Sequence, residues 1–261
     1  MPTIQLDDIK LYYEAEGQGE PVLFLHGLGS NGAAWGFQRQ AFAAQYQVIV
    51  PDIRGHGRSD KPRGPYSMAL LADDIIGLLD ALAVPAAHVV GLSLGGMIGF
   101  QLVVDRPERV RSLVAVNCGP EVVPRTFGER WAIWQRRLLV NLFSMERIAE
   151  TIAARLFPEP HQAELRQMAV DGFAANDKSA YKAATGAILG WSVRDRLGEI
   201  RCPVLLISSD MDYTPVAAKE RYLAEIPEAR LVIIDNSRHA APLDQPAAFN
   251  TAVGQFLASV S

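Results

Sequence analysis

The 261 residues include only two cysteines, Cys118 and Cys202, so no disulfide framework supports the fold. They fall at the end of one expected strand and the start of a later one. If those strands are parallel, the thiols are expected at opposite edges of the sheet, unable to pair, and a reducing cytoplasm is the expected setting. There is no excess of positive charge: the formal net charge is -4, which leaves no basic field for nucleic acid or an anionic membrane surface. Eighteen uninterrupted apolar residues occur nowhere, and the N-terminal stretch has neither the basic nor the apolar region of a leader, so membrane spanning and secretion are not expected. Metal-ligand clusters, a Walker sequence and a G-x-G-x-x-G after a strand are also missing, so no cofactor and no metal are expected. Internal repeats and low-complexity tracts are absent.

What is present is ordinary globular material, 49% apolar and 21% charged, enough for a sizeable core. Residues 3–6 and 9–16 read as an edge hairpin. From Val22-Leu23-Phe24-Leu25 onward, short apolar runs at 22–25, 48–50, 88–90, 112–116, 203–208 and 231–234 alternate with helical patterns. The helix at 68–82 has Leu71, Ile75, Leu78, Leu79 and Leu82 on one face. This alternation predicts an α/β fold with a mostly parallel central sheet and helices on both faces. Between 119 and 190 the rhythm stops. No strand-like run appears there, and helices are expected at 145–156, 161–175 and 179–189, together with a stripe of Trp131, Trp134, Leu138 and Leu142. The organisation expected is a core domain of 1–118 and 191–261 with an all-helical cap insertion at 119–190. The tryptophans in or beside it, Trp131, Trp134 and Trp191, read either as the insertion's own core or, for one or two of them, as walls of an apolar pocket beneath it.

Gly91-Leu92-Ser93-Leu94-Gly95 joins the expected strand at 88–90 to a helix. Glycines two residues to either side let strand and helix approach closely, which leaves the Ser93 hydroxyl exposed at the end of the sheet. Loops after parallel strands emerge on one side, and five of them collect the candidates: 26–32, 52–60, Ser93, 210–212 and His239. A serine hydroxyl is a weak nucleophile near neutral pH and needs a base, for which His239 stands after the last strand. His26 and His56, in glycine-rich loops, read as structural hydrogen-bonding residues. His88 stands at the wrong end of its strand, and His161 at a helix start.

The order Ser, Asp, His, the G-x-S-x-G elbow, the loop His26-Gly27-Leu28-Gly29 and the D-x-R-G-x-G-x-S segment beginning at Asp52 make the chain resemble the α/β-hydrolase family over essentially its whole length. The resemblance implies a nucleophile at Ser93, a base at His239, and oxyanion donors in the backbone N–H groups of Leu28 and Leu94. It implies that Asp212, ahead of Asp210, is the acid that orients the histidine, with Glu121 as an outsider after the preceding strand. Trp35, Trp131 and Trp134 are the residues expected to line the pocket. Members of this fold that use an aspartate nucleophile cleave halides or epoxides; Ser93 points instead to acyl transfer to water. The function implied is a serine hydrolase of small to medium, largely apolar carboxylic esters. An enol-lactone-type lactonase, a C–C bond hydrolase or a perhydrolase would use the same triad, and a ligand-sensing protein that keeps the fold without catalysis is the reading from another class. The partner expected is a small ester or lactone, and oligomeric state is left open. Charges in the insertion nearly balance, so selection of an acidic substrate would need a buried arginine from among Arg125, Arg130, Arg136 and Arg137.

Overall fold

The structure, a computed structural model, describes residues 2–260, with the side chain of Arg136 excepted. Eight strands form one sheet: β1 (Thr3–Gln5), β2 (Lys10–Glu16), β3 (Glu20–Leu25), β4 (Tyr46–Pro51), β5 (Ala87–Leu92), β6 (Val110–Val116), β7 (Val204–Ser209) and β8 (Ala229–Ile234), in the spatial order β1-β2-β4-β3-β5-β6-β7-β8. The pairings of β2 with β1 and β4 are antiparallel, as an edge hairpin requires, and all the others are parallel.

Period-two alternation divides the central strands between two cores. Leu23, Leu25, Val89, Leu113 and Leu206 face one layer, built from α2 (Met68–Ala81) and α3 (Leu94–Asp105). Val22, Phe24, Val90, Val114 and Ile207 face the other, built from α1 (Gly36–Phe42) and α10 (Pro246–Ala258). Both faces being covered is why these strands read as continuous apolar runs.

After β3 a 3₁₀ turn at Gly32–Trp35 is followed by α1. That break turns Trp35 into the second core. It is 1% exposed, with its ring 5.1 Å from that of Phe24 and 6.1 Å from that of Phe249, so the expected pocket role gives way to a core role.

Between β6 and β7 lie four helices, α4 (Phe127–Leu142), α5 (Met145–Leu156), α6 (Ala163–Ala174) and α7 (Lys178–Ile188). Val140, Met145, Ile148, Ala149, Phe173 and Tyr181 form a small core there, and Leu28 packs against it. The stripe on α4 is outside that core: Trp131 and Trp134 are 49% and 51% exposed and stack on each other, ring centroids 4.9 Å apart. Neither therefore belongs to the interior of the helical segment. Among the described residues, α8 (Val216–Leu223), α9 (Ala241–Asp244) and α10 follow in order. Among the described residues no helix is long and apolar enough to cross a membrane.

Candidate active site

Ser93 sits at φ +54°, ψ −112°, between β5 and α3. A non-glycine residue in this region costs about 1–3 kcal/mol and persists only where its surroundings enforce it. Here they do. The Ser93 N–H donates to Val116 O at 2.9 Å, and the Met97 N–H donates to Ser93 O at 3.0 Å as the helix begins. A Cβ on Gly91 would lie 2.3 Å from Gly95 C, and one on Gly95 would lie 2.1 Å from Leu25 O, so neither position has room for a side chain. Leu94 opens α3, and its N–H has no carbonyl one turn earlier to take it.

The loop after β3 lies beside this turn: a Cβ on Gly27 would be 3.6 Å from Ser93 Cβ. His26 shapes that loop. Its Nδ1 donates to Gly27 O at 2.9 Å while its Nε2 accepts the Ile53 N–H at 3.0 Å, which fixes one neutral tautomer. Burial pushes its pKa down to about 4, and burial together with the neighbouring His26 pushes His56 down to about 3. Neither is a base for catalysis near neutral pH; both are struts. The D-x-R-G-x-G-x-S segment is a strut as well. Asp52 accepts the Gly32 and Arg58 N–H groups, each at 2.7 Å, Ser59 Oγ donates to Asp52 O at 2.6 Å, and Arg54 pairs with the buried Asp74 and with Asp8. From the helical segment, Asn176 Nδ2 donates to Gly29 O at 2.6 Å, and Phe173 and Tyr181 crowd Gly29 so closely that a Cβ there would meet Phe173 at 2.3 Å.

The loops after β7 and β8 meet at His239. Its Nδ1 is 2.8 Å from Asp212 Oδ1, and the Asp212 side chain is fully buried. The second carboxylate oxygen takes the Thr214 hydroxyl and, at 3.0 Å, the ammonium of Lys219. Burial pushes the Asp212 carboxyl up, but His239, Thr214 and Lys219 together hold it below the usual 3.8. Asp210 does something else: its two oxygens accept the Asn236 and Ser237 N–H groups, each at 3.0 Å, and tie the two loops together. Glu121 pairs with Arg125 and Arg194, away from His239.

Two arrangements were not legible beforehand. Asn117, immediately after β6 at φ +50°, donates from Nδ2 to His239 O at 2.9 Å and accepts the Ser209 N–H at Oδ1, 2.8 Å. Since Ser93 is bonded to the preceding residue, Val116, this asparagine joins the elbow to the histidine loop. Tyr213 lies over the His239 ring, centroids 4.3 Å apart, with its hydroxyl 2.8 Å from Nε2. Among the described residues, Ser93 Oγ makes no hydrogen bond, so the expected contact of Ser93 with His239 is replaced by the tyrosine's. An asparagine directly after a strand and an aromatic next to the chosen acid were the available signals.

Of the arginines considered for substrate selection, Arg125, Arg130 and Arg137 are exposed and the Arg136 side chain lies outside the described residues. Among the described residues no group of three or more His, Cys, Asp or Glu side chains is placed to hold a metal ion.

A family model described as the alpha/beta hydrolase fold matches residues 20–246. The chain is 33% identical to 3-oxoadipate enol-lactonase 2 of Acinetobacter baylyi, covering 96% of this chain and 94% of that one. It is 35% identical to the putative carbamate hydrolase RutD of Azorhizobium caulinodans, covering 96% of each. Among solved structures, the enol-lactonase from Burkholderia xenovorans superposes with a TM-score of 0.90 at 26% identity, over 98% of this chain and all of that one (100%).

Proposed function

We propose that this chain, which belongs to the α/β-hydrolase fold family, is a serine hydrolase that cleaves carboxylic esters through an acyl-enzyme. The observation that carries this reading is the buried Asp212 carboxylate bonded at 2.8 Å to His239 Nδ1, in loops from the same end of the sheet that presents Ser93 at positive φ. Nδ1–H bonded to a carboxylate leaves Nε2 as the basic nitrogen. Once Tyr213 yields that atom, Nε2 takes the Ser93 proton as Oγ attacks the ester carbonyl. Charge then develops on the carbonyl oxygen, where the N–H groups of Leu28 and Leu94 receive it; each such donor is worth about 3 kcal/mol. Collapse expels the alcohol, protonated by His239. Water, deprotonated in turn by His239, then releases the acid and restores Ser93.

A lactone is an ester whose leaving alcohol stays tethered, and the enol-lactonase names among the similar proteins favour that cyclic form as a second reading. In either case residues 119–190 act as a cap, with Phe173 and Tyr181 holding the loop that carries Leu28. The free thiols Cys118 and Cys202 suit a cytoplasmic setting.

A panel of p-nitrophenyl esters of graded acyl length alongside several lactones, compared by kcat/KM, tests the substrate class. An extra methylene in an apolar pocket changes discrimination by about 1–3 kcal/mol, so a length optimum is expected for esters. Turnover of lactones alone would select the cyclic reading. No turnover of any ester or lactone would overturn both.

A further inference from the structure

Among the described residues, Lys219 is the one lysine with a buried side chain, 2% exposed on the inner side of α8. A buried ammonium is costly to desolvate and is tolerated only when its donors are satisfied. Here three acceptors meet its three protons: Asp212 Oδ2 at 3.0 Å, the Thr214 carbonyl and the Thr214 hydroxyl. The other Asp212 oxygen belongs to His239. One carboxylate therefore stands between the lysine ammonium and an imidazole that becomes a cation during the reaction.

We propose that Lys219 is a positioning residue of the hydrolytic site, extending Ser93, His239 and Asp212 by a fourth, charged member. It has two effects. It keeps the buried Asp212 ionised with Oδ1 turned toward Nδ1. It also opposes the charging of His239, because a second positive charge shares the carboxylate that stabilises the imidazolium. The charge on Lys219 is therefore coupled through Asp212 to any proton taken up by His239. The charges that hold the Asp212 carboxyl down are those of His239 and Lys219, whereas Arg238 acts on Asp244. Tyr213 contacts Nε2 as a hydroxyl, and the Cys118 thiol, pushed up to about 12 by burial, is neutral. Asp210 and Asp244 are occupied by backbone N–H groups.

The inference rests on the triad reading, and the test separates the two. kcat/KM is measured against pH for the wild type, Lys219→Met, Lys219→Gln and Lys219→Arg. The neutral variants are expected to move the midpoint of the acid limb upward by about one pH unit, because loss of the cation favours the imidazolium. Their kcat should fall by about 10–100-fold with KM nearly unchanged, since the base is misdirected rather than the substrate lost. Lys219→Arg should restore the wild-type midpoint. A purely structural lysine would lower the melting temperature and leave the midpoint in place, and that result overturns the proposal, as does a downward shift.

Should no neutral variant fold, the ¹⁵Nζ resonance of the solvent-protected lysine in ¹⁵N-lysine wild-type protein reads the same coupling. It should move through the acid-limb midpoint; a stationary signal overturns the proposal. If Ser93→Ala retains turnover, the triad reading itself fails. If Ser93→Ala is inactive while Lys219→Met keeps the wild-type acid limb, only the role of the lysine fails.

Discussion

Replacing Asp212 with asparagine keeps the side-chain volume and removes the charge at the point where the two loops after β7 and β8 meet. Two costs follow. The amide offers His239 Nδ1 either an oxygen or an NH₂ group, and since Lys219 and Thr214 both donate toward the other position, only one orientation keeps all three bonds. Even then the compensating charge for the imidazolium is gone. Loss of a carboxylate in this role lowers kcat by about four orders of magnitude. The second cost falls on stability, because Lys219 loses its carboxylate partner in a site that is 2% exposed. Removing one partner of a buried pair costs about 3–5 kcal/mol, and at about 2–4 °C per kcal/mol for a domain of this size the melting temperature should fall by about 6–20 °C. Ester hydrolysis and thermal unfolding measured on the same preparation separate the two costs. Asp210→Asn is the control. Its carboxylate serves two backbone N–H groups at a loop, so kcat/KM should stay within about tenfold of the wild type at a cost of about 1 kcal/mol in stability. If Asp212→Asn keeps turnover within tenfold of the wild type, or Asp210→Asn proves the more damaging, the assignment of the acid is refuted.

Three further outcomes are expected. His26 and His56 stay neutral in the folded protein down to about 4 and about 3, whereas the unfolded chain protonates them near 6.5. The unfolded state binds more protons across that window, so stability should fall as pH drops from 6.5 toward 4, by about 1.4 kcal/mol per pH unit for each imidazole. Urea midpoints across this range should show the slope, and His56→Gln should flatten it; an unchanged slope would contradict the strut role. Tyr213→Phe removes the hydroxyl held at His239 Nε2 and keeps the stacked ring, so kcat/KM should rise about 2–10-fold, the value of one modest hydrogen bond; a fall would make the hydroxyl a participant instead. Gly95→Ala places a Cβ 2.1 Å from Leu25 O, and expression in soluble folded form should be lost.

The parts of this molecule legible in its sequence are those set by local pattern. Continuous apolar runs such as Val22 to Leu25 mark strands covered on both faces, and the glycines around Ser93 mark a turn where backbones nearly touch. The pairing of His239 with Asp212, ahead of Asp210, was what the family resemblance implied. What escaped depends on where distant segments meet. Lys219 looks like any charged residue on the solvated face of a short helix until β7 and the Asp212 turn close over it. Trp35 and the stripe on α4 carry the same apolar signal, yet a one-turn 3₁₀ start sends Trp35 into the core while Trp131 and Trp134 remain half exposed. Periodicity identifies an apolar face and not what it meets. Tyr213 holds His239 Nε2 through a contact between adjacent loops that no spacing rule encodes.

The central claim is that Ser93 is the nucleophile, and labelling with a fluorophosphonate tests it most directly. Wild-type protein should lose ester turnover in proportion to the incorporation of one label per chain, with the adduct located by mass spectrometry on Ser93. Ser93→Ala, which keeps the Cβ and the same backbone strain, should melt at nearly the wild-type temperature, take up no label and hydrolyse no ester or lactone. A label elsewhere, or turnover persisting in folded Ser93→Ala, would contradict the account.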